Sequence, residues 1–221
     1  MKYKPPADND ALIDIVSNRR YYLNLDSFDP AVTEVMRGLD RGHFVPPGTH
    51  GVYDDDPVPI GDNQTCSQPS MVAAMATMLE LRPGHRVLEV GTGCGYSAAV
   101  TARLISPGGS LLSYEIVPEL ATLAERNLSR FEFDADIKLV CGDGSEGAPG
   151  QDFDRIYLTA GVGRYFNEHG LLRQLAPGGI LLYPEAHGQL YLLKKTPGGV
   201  EKQETGMVGF VFLKGRNSGY R

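Results

Sequence analysis

Apolar residues along the chain follow two alternating spacings. Short continuous apolar runs, the pattern of buried strands, occur at 86–90, 110–114, 137–141, 155–159 and 180–183. Apolar residues three or four positions apart, the pattern of amphipathic helices, occur at 69–81, 96–105, 118–131 and 170–175. Strands that alternate with helices in this way predict an α/β fold, a doubly wound parallel sheet with crossover helices.

The region before this alternation has a different pattern. Two short helices are predicted, at 11–17 and at 30–39, and Asp29 is the predicted N-cap of the second. Residues 43–64 are rich in Pro, Gly and Asp, which predicts an irregular loop. We therefore expect residues 1–64 to form a small N-terminal helical cap and a substrate loop.

The region after Pro184 contains no further helical pattern. Apolar stretches at 189–194 and 207–213 flank a Thr-Pro-Gly-Gly turn, which predicts a hairpin. Strands joined by a short turn are antiparallel, so the sheet should be mostly parallel with an antiparallel C-terminal edge. Residues 65–221 are expected to form one compact domain.

Composition narrows the classes of function. A net charge of -6 without a basic cluster argues against a nucleic-acid partner. Residues 1–10 are polar, and no apolar run has the length of a signal peptide or a membrane span, so we expect a cytoplasmic protein without a membrane partner. The three cysteines and five histidines are widely spaced, which predicts neither a disulfide framework nor a metal site.

The first strand of the alternating region runs into a glycine-rich turn. Gly91, Gly93 and Gly95 occupy alternate positions, where glycine lets the backbone approach a ligand at the carboxyl end of a strand. A dinucleotide fingerprint needs its third glycine one position later, where this chain has Tyr96, so the pattern points away from NAD. By itself the turn leaves two interpretations open, a site for a nucleotide-like ligand and a purely structural turn.

The next two predicted strands also end in polar loops. Glu115 can accept hydrogen bonds from both hydroxyls of a ribose, and Asp143, between Gly142 and Gly144, can accept one from an adenine amino group. Alternatively, Glu115 is a residue of the helix start and Asp143 stabilises a turn. Three such loops on consecutive strand ends favour one shared ligand over coincidence.

The segment Thr65-Cys66-Ser67-Gln68-Pro69 resembles the Thr-x-Ser-x-Pro block that is specific to protein-L-isoaspartate O-methyltransferases. Other blocks agree with this family in order and spacing across residues 30–213. They are the glycine turn, Glu115-Ile116-Val117-Pro118-Glu119-Leu120, Gly142-Asp143-Gly144, Phe153-Asp154-Arg155-Ile156, Thr159-Ala160 and Leu175-Ala176-Pro177-Gly178-Gly179. The resemblance implies a class I, Rossmann-like methyltransferase fold and S-adenosyl-L-methionine as the cofactor.

The resemblance also implies roles for individual residues. Ser67 is the expected catalytic residue, and Ile60, Ala160 and Val211 are the expected substrate-binding residues. The expected cofactor-binding residues are Thr65, Gln68, Glu89, Gly91, Thr92, Gly93, Gly95, Glu115, Ile116, Gly142, Asp143, Gly144 and Thr159. A structural alternative for Ser67 is that it caps the helix beginning near Pro69, a position that serine favours.

The implied reaction is transfer of a methyl group to the α-carboxylate of isoaspartyl residues in damaged proteins or peptides. A carboxylate is ionised at neutral pH, so no general base is required and orientation is the main task of the enzyme. One alternative is methylation of an aspartate in a dedicated peptide, and another is a non-catalytic binding module. Residues 161–165 and Phe212 depart from the family pattern, and they lie where the acceptor should bind.

Overall fold

The computed structural model describes residues 6–220. Residues 1–5, which belong to the polar N-terminal stretch, and residue 221 lie outside the described residues. The helices are α1 Asn9–Ser17, α2 Pro30–Arg37, α3 Pro69–Met78, α4 Tyr96–Ile105, α5 Pro118–Leu128 and α6 His169–Arg173. The strands are β1 Val58–Gly61, β2 Gln64–Cys66, β3 Arg86–Val90, β4 Ser110–Glu115, β5 Asp136–Cys141, β6 Phe153–Leu158, β7 Leu175–Pro184, β8 His187–Thr196 and β9 Gly199–Gly209.

A seven-stranded sheet has the order β5-β4-β3-β6-β7-β8-β9, and β1 and β2 form a separate antiparallel hairpin. Strands β3 to β7 are parallel, whereas β8 and β9 add an antiparallel edge. The predicted mostly parallel α/β sheet with an edge hairpin is confirmed. The chain passes from β3 to β4 and β5 on one side and then crosses to β6 on the other. Ligands of α/β sheets usually bind at the carboxyl ends of strands beside such a reversal.

The central strands end level with one another. Val90, the last residue of β3, pairs with Tyr114 of β4, and β4 pairs in register with β5 to its end. The N–H of Gly91 donates to the carbonyl of Tyr114 at 2.8 Å, and the N–H of Gly142 donates to that of Glu115 at 2.8 Å. These bonds hold the three strand-end loops side by side.

The central strands of the sheet are buried on both faces, as parallel strands usually are. Val87 and Leu88 are neighbours on β3 and point to opposite faces, where they join two different core clusters. On the N-terminal side, α1 packs on α2 and α3 through side chains such as Leu12 and Ile13, which are fully buried. The predicted N-cap of α2 is confirmed, because Asp29 accepts the Ala31 N–H at 2.9 Å. Within residues 6–220, no helix has the length and apolar character needed to span a membrane.

The predicted irregular loop at 43–64 is wrong in its last part, where β1 and β2 form a hairpin. Asp62 and Asn63 make the two-residue turn, with φ angles of 50° and 57°. Two consecutive positive φ angles are typical of a type I′ turn, which Asn-Gly forms more often than Asp-Asn. The Pro, Gly and Asp content therefore masked a hairpin.

Four helices end earlier than predicted: α2 and α6 by two residues, at Arg37 and Arg173, and α3 and α5 by three. α3 ends at Met78 and α5 at Leu128, whereas the spacing extends to residues 81 and 131. After α3, Glu80 has a φ of 47°, which no right-handed helix contains. The apolar residues beyond α3 and α5 still pack against the core, so the spacing continues where the helix does not.

The second strand of the edge hairpin lies earlier than predicted. β9 ends at Gly209, and residues 210–220, the C-terminal segment, leave the hairpin and cross the sheet end. Gly161 donates its N–H to Val211 at 2.7 Å and accepts from the Leu213 N–H at 2.8 Å. The apolar run at 207–213 therefore divides between an edge strand and a contact with the loop after β6.

Candidate active site

A cavity of about 760 Å³ of empty space, the strand-end cavity, lies at the carboxyl ends of the central strands. That space includes solvent at the open mouth of the cavity. Most of the predicted cofactor-binding residues line it. They are Thr65, Gly91, Thr92, Gly93, Glu115, Ile116, Gly142, Gly144 and Thr159.

The glycine turn, residues 91–95, needs glycine for two different reasons. Gly91 has a φ of 103°, and a Cβ there would collide with Thr159 Oγ1 across the cavity wall. Gly95 is the N-cap residue of α4, and a Cβ on it would lie 3.4 Å from the Cα of Ala124 in α5. Gly91 therefore lines the cavity, whereas Gly95 lies outside the cavity wall and permits helix packing.

Glu115 presents a fixed carboxylate to the strand-end cavity. Its Oε2 accepts the Gly93 N–H at 2.7 Å, and its Oε1 accepts the Val117 N–H at 3.0 Å. A carboxylate has about four acceptor positions, so two remain for a ligand. This geometry satisfies both interpretations of Glu115, because the residue stabilises the start of α5 and can also accept from two hydroxyls.

Asp143 lies beside the strand-end cavity and not on its wall. Its Oδ1 accepts the Ser145 N–H at 2.9 Å, and its Oδ2 accepts the Arg216 N–H at 2.8 Å. Burial acts to raise the pKa of Asp143, but the bonds from Arg216 and Ser145 lower it below the usual value. The side chain thus fixes a turn and the C-terminal segment, as the structural alternative supposed.

Glu89 is fully buried in the core, behind the glycine turn. Burial raises its pKa to about 7, although hydrogen bonds from Ser113, at 2.5 Å, and Tyr157, at 2.8 Å, oppose this. Ser113 Oγ also lies 2.6 Å from Thr92 Oγ1, and Thr92 lines the cavity. The hydroxyl groups of Ser113 and Thr92 therefore connect Glu89 to the cavity wall by hydrogen bonds.

A second cavity, the outer cavity, lies next to the first, with about 1460 Å³ of empty space that includes open solvent. Its wall is largely apolar and includes Met71, Phe210 and Phe212. The residues that line both cavities are Gln64, Thr65, Ser67, Thr159, Val211, Phe212 and Lys214. The two cavities therefore meet at the predicted catalytic residue.

Ser67 lies at this junction with a free hydroxyl. The N-cap residue of α3 is Gln68, so the alternative that Ser67 caps the helix does not apply. Asp55 takes that role, because its Oδ1 accepts the Ser70 N–H at 2.8 Å. Within the described part of the chain, the Ser67 hydroxyl has no hydrogen-bond partner, which leaves it available to a ligand.

The remaining predicted residues are divided between the two cavities and the core. Val211 lines both cavities and Ala160 lines the strand-end cavity. Ile60 lines neither, because it is buried under the glycine turn, 3.4 Å from the place of a Cβ on Gly93. Gln68 lines the outer cavity. Its amide oxygen accepts a hydrogen bond from the Tyr22 hydroxyl at 2.9 Å, and its amide nitrogen donates to the Asp55 backbone carbonyl at 2.7 Å.

Arg41 is a residue of this region that the sequence does not reveal. Its guanidinium is fully buried and donates to five backbone carbonyls. They belong to Val52, Asp54, Asp56, Cys66 and Ser67, at 2.7 to 3.2 Å. A single basic residue outside the predicted helices and strands gives no pattern in the sequence, although this one fixes the backbone on which Ser67 lies.

The strand-end cavity fits S-adenosyl-L-methionine. Ile116, Val117 and Leu120 offer an apolar wall to an adenine ring, next to the carboxylate of Glu115. Tyr96 supplies a hydroxyl that is buried, lines the cavity and lacks a partner among the described residues. A buried donor without a partner is costly, and a polar ligand would satisfy it.

Comparisons with known proteins identify the family of this chain. The family model described as protein-L-isoaspartate(D-aspartate) O-methyltransferase matches residues 7–218. The protein-L-isoaspartate O-methyltransferase of Methanopyrus kandleri is 43% identical over 190 residues, which cover 83% of this chain and 83% of the relative. That of Gloeobacter violaceus is 41% identical over 189 residues, which cover 83% of this chain and 89% of the relative.

Solved structures give the same result for the fold. A protein-L-isoaspartate O-methyltransferase superposes with a TM-score of 0.82 at 27% identity, covering 96% of this chain and 67% of that chain. A Plasmodium falciparum structure in complex with S-adenosyl-L-homocysteine has a TM-score of 0.79 at 24% identity, covering 94% and 98%, and supports the fold alone. The chain belongs to the protein-L-isoaspartate(D-aspartate) O-methyltransferase family, and its methyl donor is S-adenosyl-L-methionine.

Proposed function

We propose that this enzyme methylates the α-carboxylate of isoaspartyl residues in damaged proteins or peptides, with Ser67 as its catalytic residue. The observation that carries the proposal is the position of the Ser67 hydroxyl, which lies where the two cavities meet and has no hydrogen-bond partner among the described residues. The strand-end cavity takes the cofactor. The outer cavity then receives the peptide, so that its carboxylate reaches the junction.

The chemistry requires orientation more than acid–base catalysis. The cofactor supplies an electrophilic methyl group on a sulfonium, and the acceptor carboxylate is already ionised at neutral pH. Ser67 donates a hydrogen bond to one carboxylate oxygen and leaves the other oxygen directed at the methyl group. Holding the reacting groups in line lowers the barrier, since a misplacement of about 1 Å can cost about a hundredfold in rate.

The charges of the two cavity walls suit a carboxylate acceptor. Lys214 is the single Lys or Arg on either wall within the described residues. It is exposed, lies at the junction and forms no ion pair with any described residue. A cation at this position attracts an anionic acceptor into an otherwise apolar groove.

The distance between the acceptor carboxylate and the peptide main chain explains the expected selectivity for isoaspartyl residues. An isoaspartyl residue presents its free α-carboxylate one methylene nearer to the main chain than the carboxylate of an ordinary aspartate. A groove that fixes the peptide backbone therefore admits one carboxylate to the junction and keeps the other away from it.

The test is release of methanol from labelled cofactor with matched isoaspartyl and aspartyl peptides. We expect methylation of the isoaspartyl peptide and little of the other. Ser67→Ala should lower kcat about 10- to 100-fold, the effect of one hydrogen bond to a charged group, with unchanged thermal stability. Ser129→Ala, which removes an exposed serine outside both cavities, serves as the control. A Ser67→Ala enzyme with full kcat would contradict the proposed role.

A second candidate is methylation of an aspartate in one dedicated peptide. One feature of the outer cavity favours this candidate. Phe212, which departs from the family pattern, lies on the cavity wall and is 55% exposed. Intact cofactor binding without activity on either test peptide would favour this candidate.

The proposal places the enzyme in the cytoplasm, with isoaspartyl proteins or peptides as partners and no nucleic acid. A net charge of -6 supports that choice, because the surface repels phosphate groups. Binding of the enzyme to duplex or single-stranded DNA at physiological salt would contradict it.

A further inference from the structure

Cys66 and Cys94 meet at the wall of the strand-end cavity. Cys66 ends β2 and precedes Ser67, whereas Cys94 belongs to the glycine turn. Both side chains line the cavity, and their exposed fractions are 2% and 3%. Both residues belong to one core cluster and their thiols lie close enough to interact, so two residues distant in sequence form a buried dithiol.

The surroundings of the dithiol favour reaction at Cys66. The interaction with the Cys94 thiol lowers the pKa of Cys66 below its usual value, and the nearby Arg41 guanidinium adds to this effect, while burial opposes it. The same interaction, together with burial, raises the pKa of Cys94. A thiolate is the nucleophilic form of cysteine, and a neutral thiol beside it is suited to resolve the oxidised product.

We propose that Cys66 and Cys94 are an oxidation site, in which a peroxide joins them as a disulfide and thereby closes the strand-end cavity to the cofactor.

The reaction balances with hydrogen peroxide as the oxidant. The Cys66 thiolate attacks one peroxide oxygen, the O–O bond breaks, and the departing hydroxide takes a proton to become water. The sulfur of Cys94 then attacks the sulfenic acid on Cys66, the S–O bond breaks, and a second water leaves with the Cys94 proton. Two thiols and one peroxide thus give one disulfide and two waters.

The consequence for binding follows from what the bond would connect. β2 and the glycine turn both contribute to the cavity wall, and a disulfide shortens the separation of the two sulfurs to about 2 Å, which moves one segment toward the other. The bond also shifts Ser67, the next residue after Cys66. Bound cofactor occupies the space through which a peroxide reaches the sulfurs, so it should protect the pair.

The experiment treats the purified full chain with hydrogen peroxide, with and without S-adenosyl-L-homocysteine. We expect the intact mass to fall by two hydrogens, and peptide mapping to find Cys66 linked to Cys94. Affinity for S-adenosyl-L-homocysteine by calorimetry should fall about tenfold or more and return after dithiothreitol. Prior saturation with S-adenosyl-L-homocysteine should slow the reaction.

Matched variants identify the sulfurs involved. Cys141→Ser removes the exposed third cysteine and should still form the crosslink, whereas Cys94→Ser should not. Two results would overturn the inference: Cys66 and Cys94 both remaining open to alkylation after peroxide under denaturing conditions, or a mapped disulfide with unchanged cofactor affinity. Neither readout needs an acceptor peptide, so failure of the isoaspartyl proposal would be distinguishable.

Discussion

The two walls of the site are held in place in different ways. The cofactor wall consists mainly of loops that directly follow β3, β4 and β5, and the register of the sheet fixes their positions. The acceptor wall consists of the β1–β2 hairpin and the C-terminal segment, which no sheet register holds beside Ser67. Instead, Arg41, Asp143 and Gly161 tie these segments to distant parts of the chain.

This difference indicates how each wall should respond to mutation. A change on the cofactor wall removes a direct ligand contact while the sheet keeps its loops in position. A change to one of the tying residues on the acceptor side moves a whole segment. Mutations on the cofactor wall should therefore mainly lower the affinity for the cofactor, and mutations of the tying residues should mainly lower the free energy of unfolding.

The largest expected effect is that of Arg41→Met. It removes the donor shared by five buried carbonyls, so the free energy of unfolding should fall by about 3 kcal/mol or more. Denaturant unfolding measures this. Arg37→Met, which removes surface ion pairs and one exposed hydrogen bond to the Asp10 carbonyl, should lower stability far less. Equal stability of the two variants would mean that Arg41 does not hold the acceptor wall.

Glu115→Ala tests the cofactor wall. Loss of a charge-assisted contact to the ribose should weaken binding of S-adenosyl-L-homocysteine by about 1.5–3 kcal/mol, as measured by calorimetry. Glu119→Ala, one turn further and exposed on α5, is the matched control. An unchanged affinity in Glu115→Ala would mean that Glu115 does not bind the ribose. The other residues of the strand-end cavity would keep their proposed role in cofactor binding.

The raised pKa of Glu89 predicts that the stability of the protein depends on pH. In the folded protein its pKa is raised to about 7, whereas in an unfolded chain it is about 4.3. The folded state therefore retains a proton that the unfolded state has lost, and this contribution to stability is full below pH 4.3 and is lost as the pH rises through about 7. Glu89→Gln should lose less stability than the parent between about pH 5 and pH 8, by on the order of 1 kcal/mol. Parallel stability curves for the two proteins would contradict this.

Lys214→Met should have the smallest effect. Removing one exposed charge at the acceptor groove should raise KM for an isoaspartyl peptide about threefold, with little change in kcat. The effect should diminish at high salt, because salt screens exposed charges. Lys138→Met makes the same change on exposed β5, outside both cavities, and should leave KM unchanged.

The sequence was sufficient for the parts of the molecule that depend on local pattern. The alternating runs predict the sheet, and Gly91 and Glu115 are predictable because strand ends on neighbouring strands lie together. Ile60 and Glu89 lie in buried support positions, which a motif does not distinguish from ligand contacts. Arg41 could not be predicted at all, since its five partners come together only in the folded chain.

Because of the C-terminal segment, the two walls are completed at different times while the chain is synthesised. Chains are made from the N-terminus, and folding can proceed on what has already emerged. All the strands of the cofactor wall and the loop at Gly161 precede residues 210–220, whereas the groove beside Ser67 is complete only when that segment has docked on Gly161 and Asp143. A nascent or shortened chain that ends near residue 209 would therefore keep the strand-end loops that face the methyl donor but lack the groove that presents a carboxylate to it.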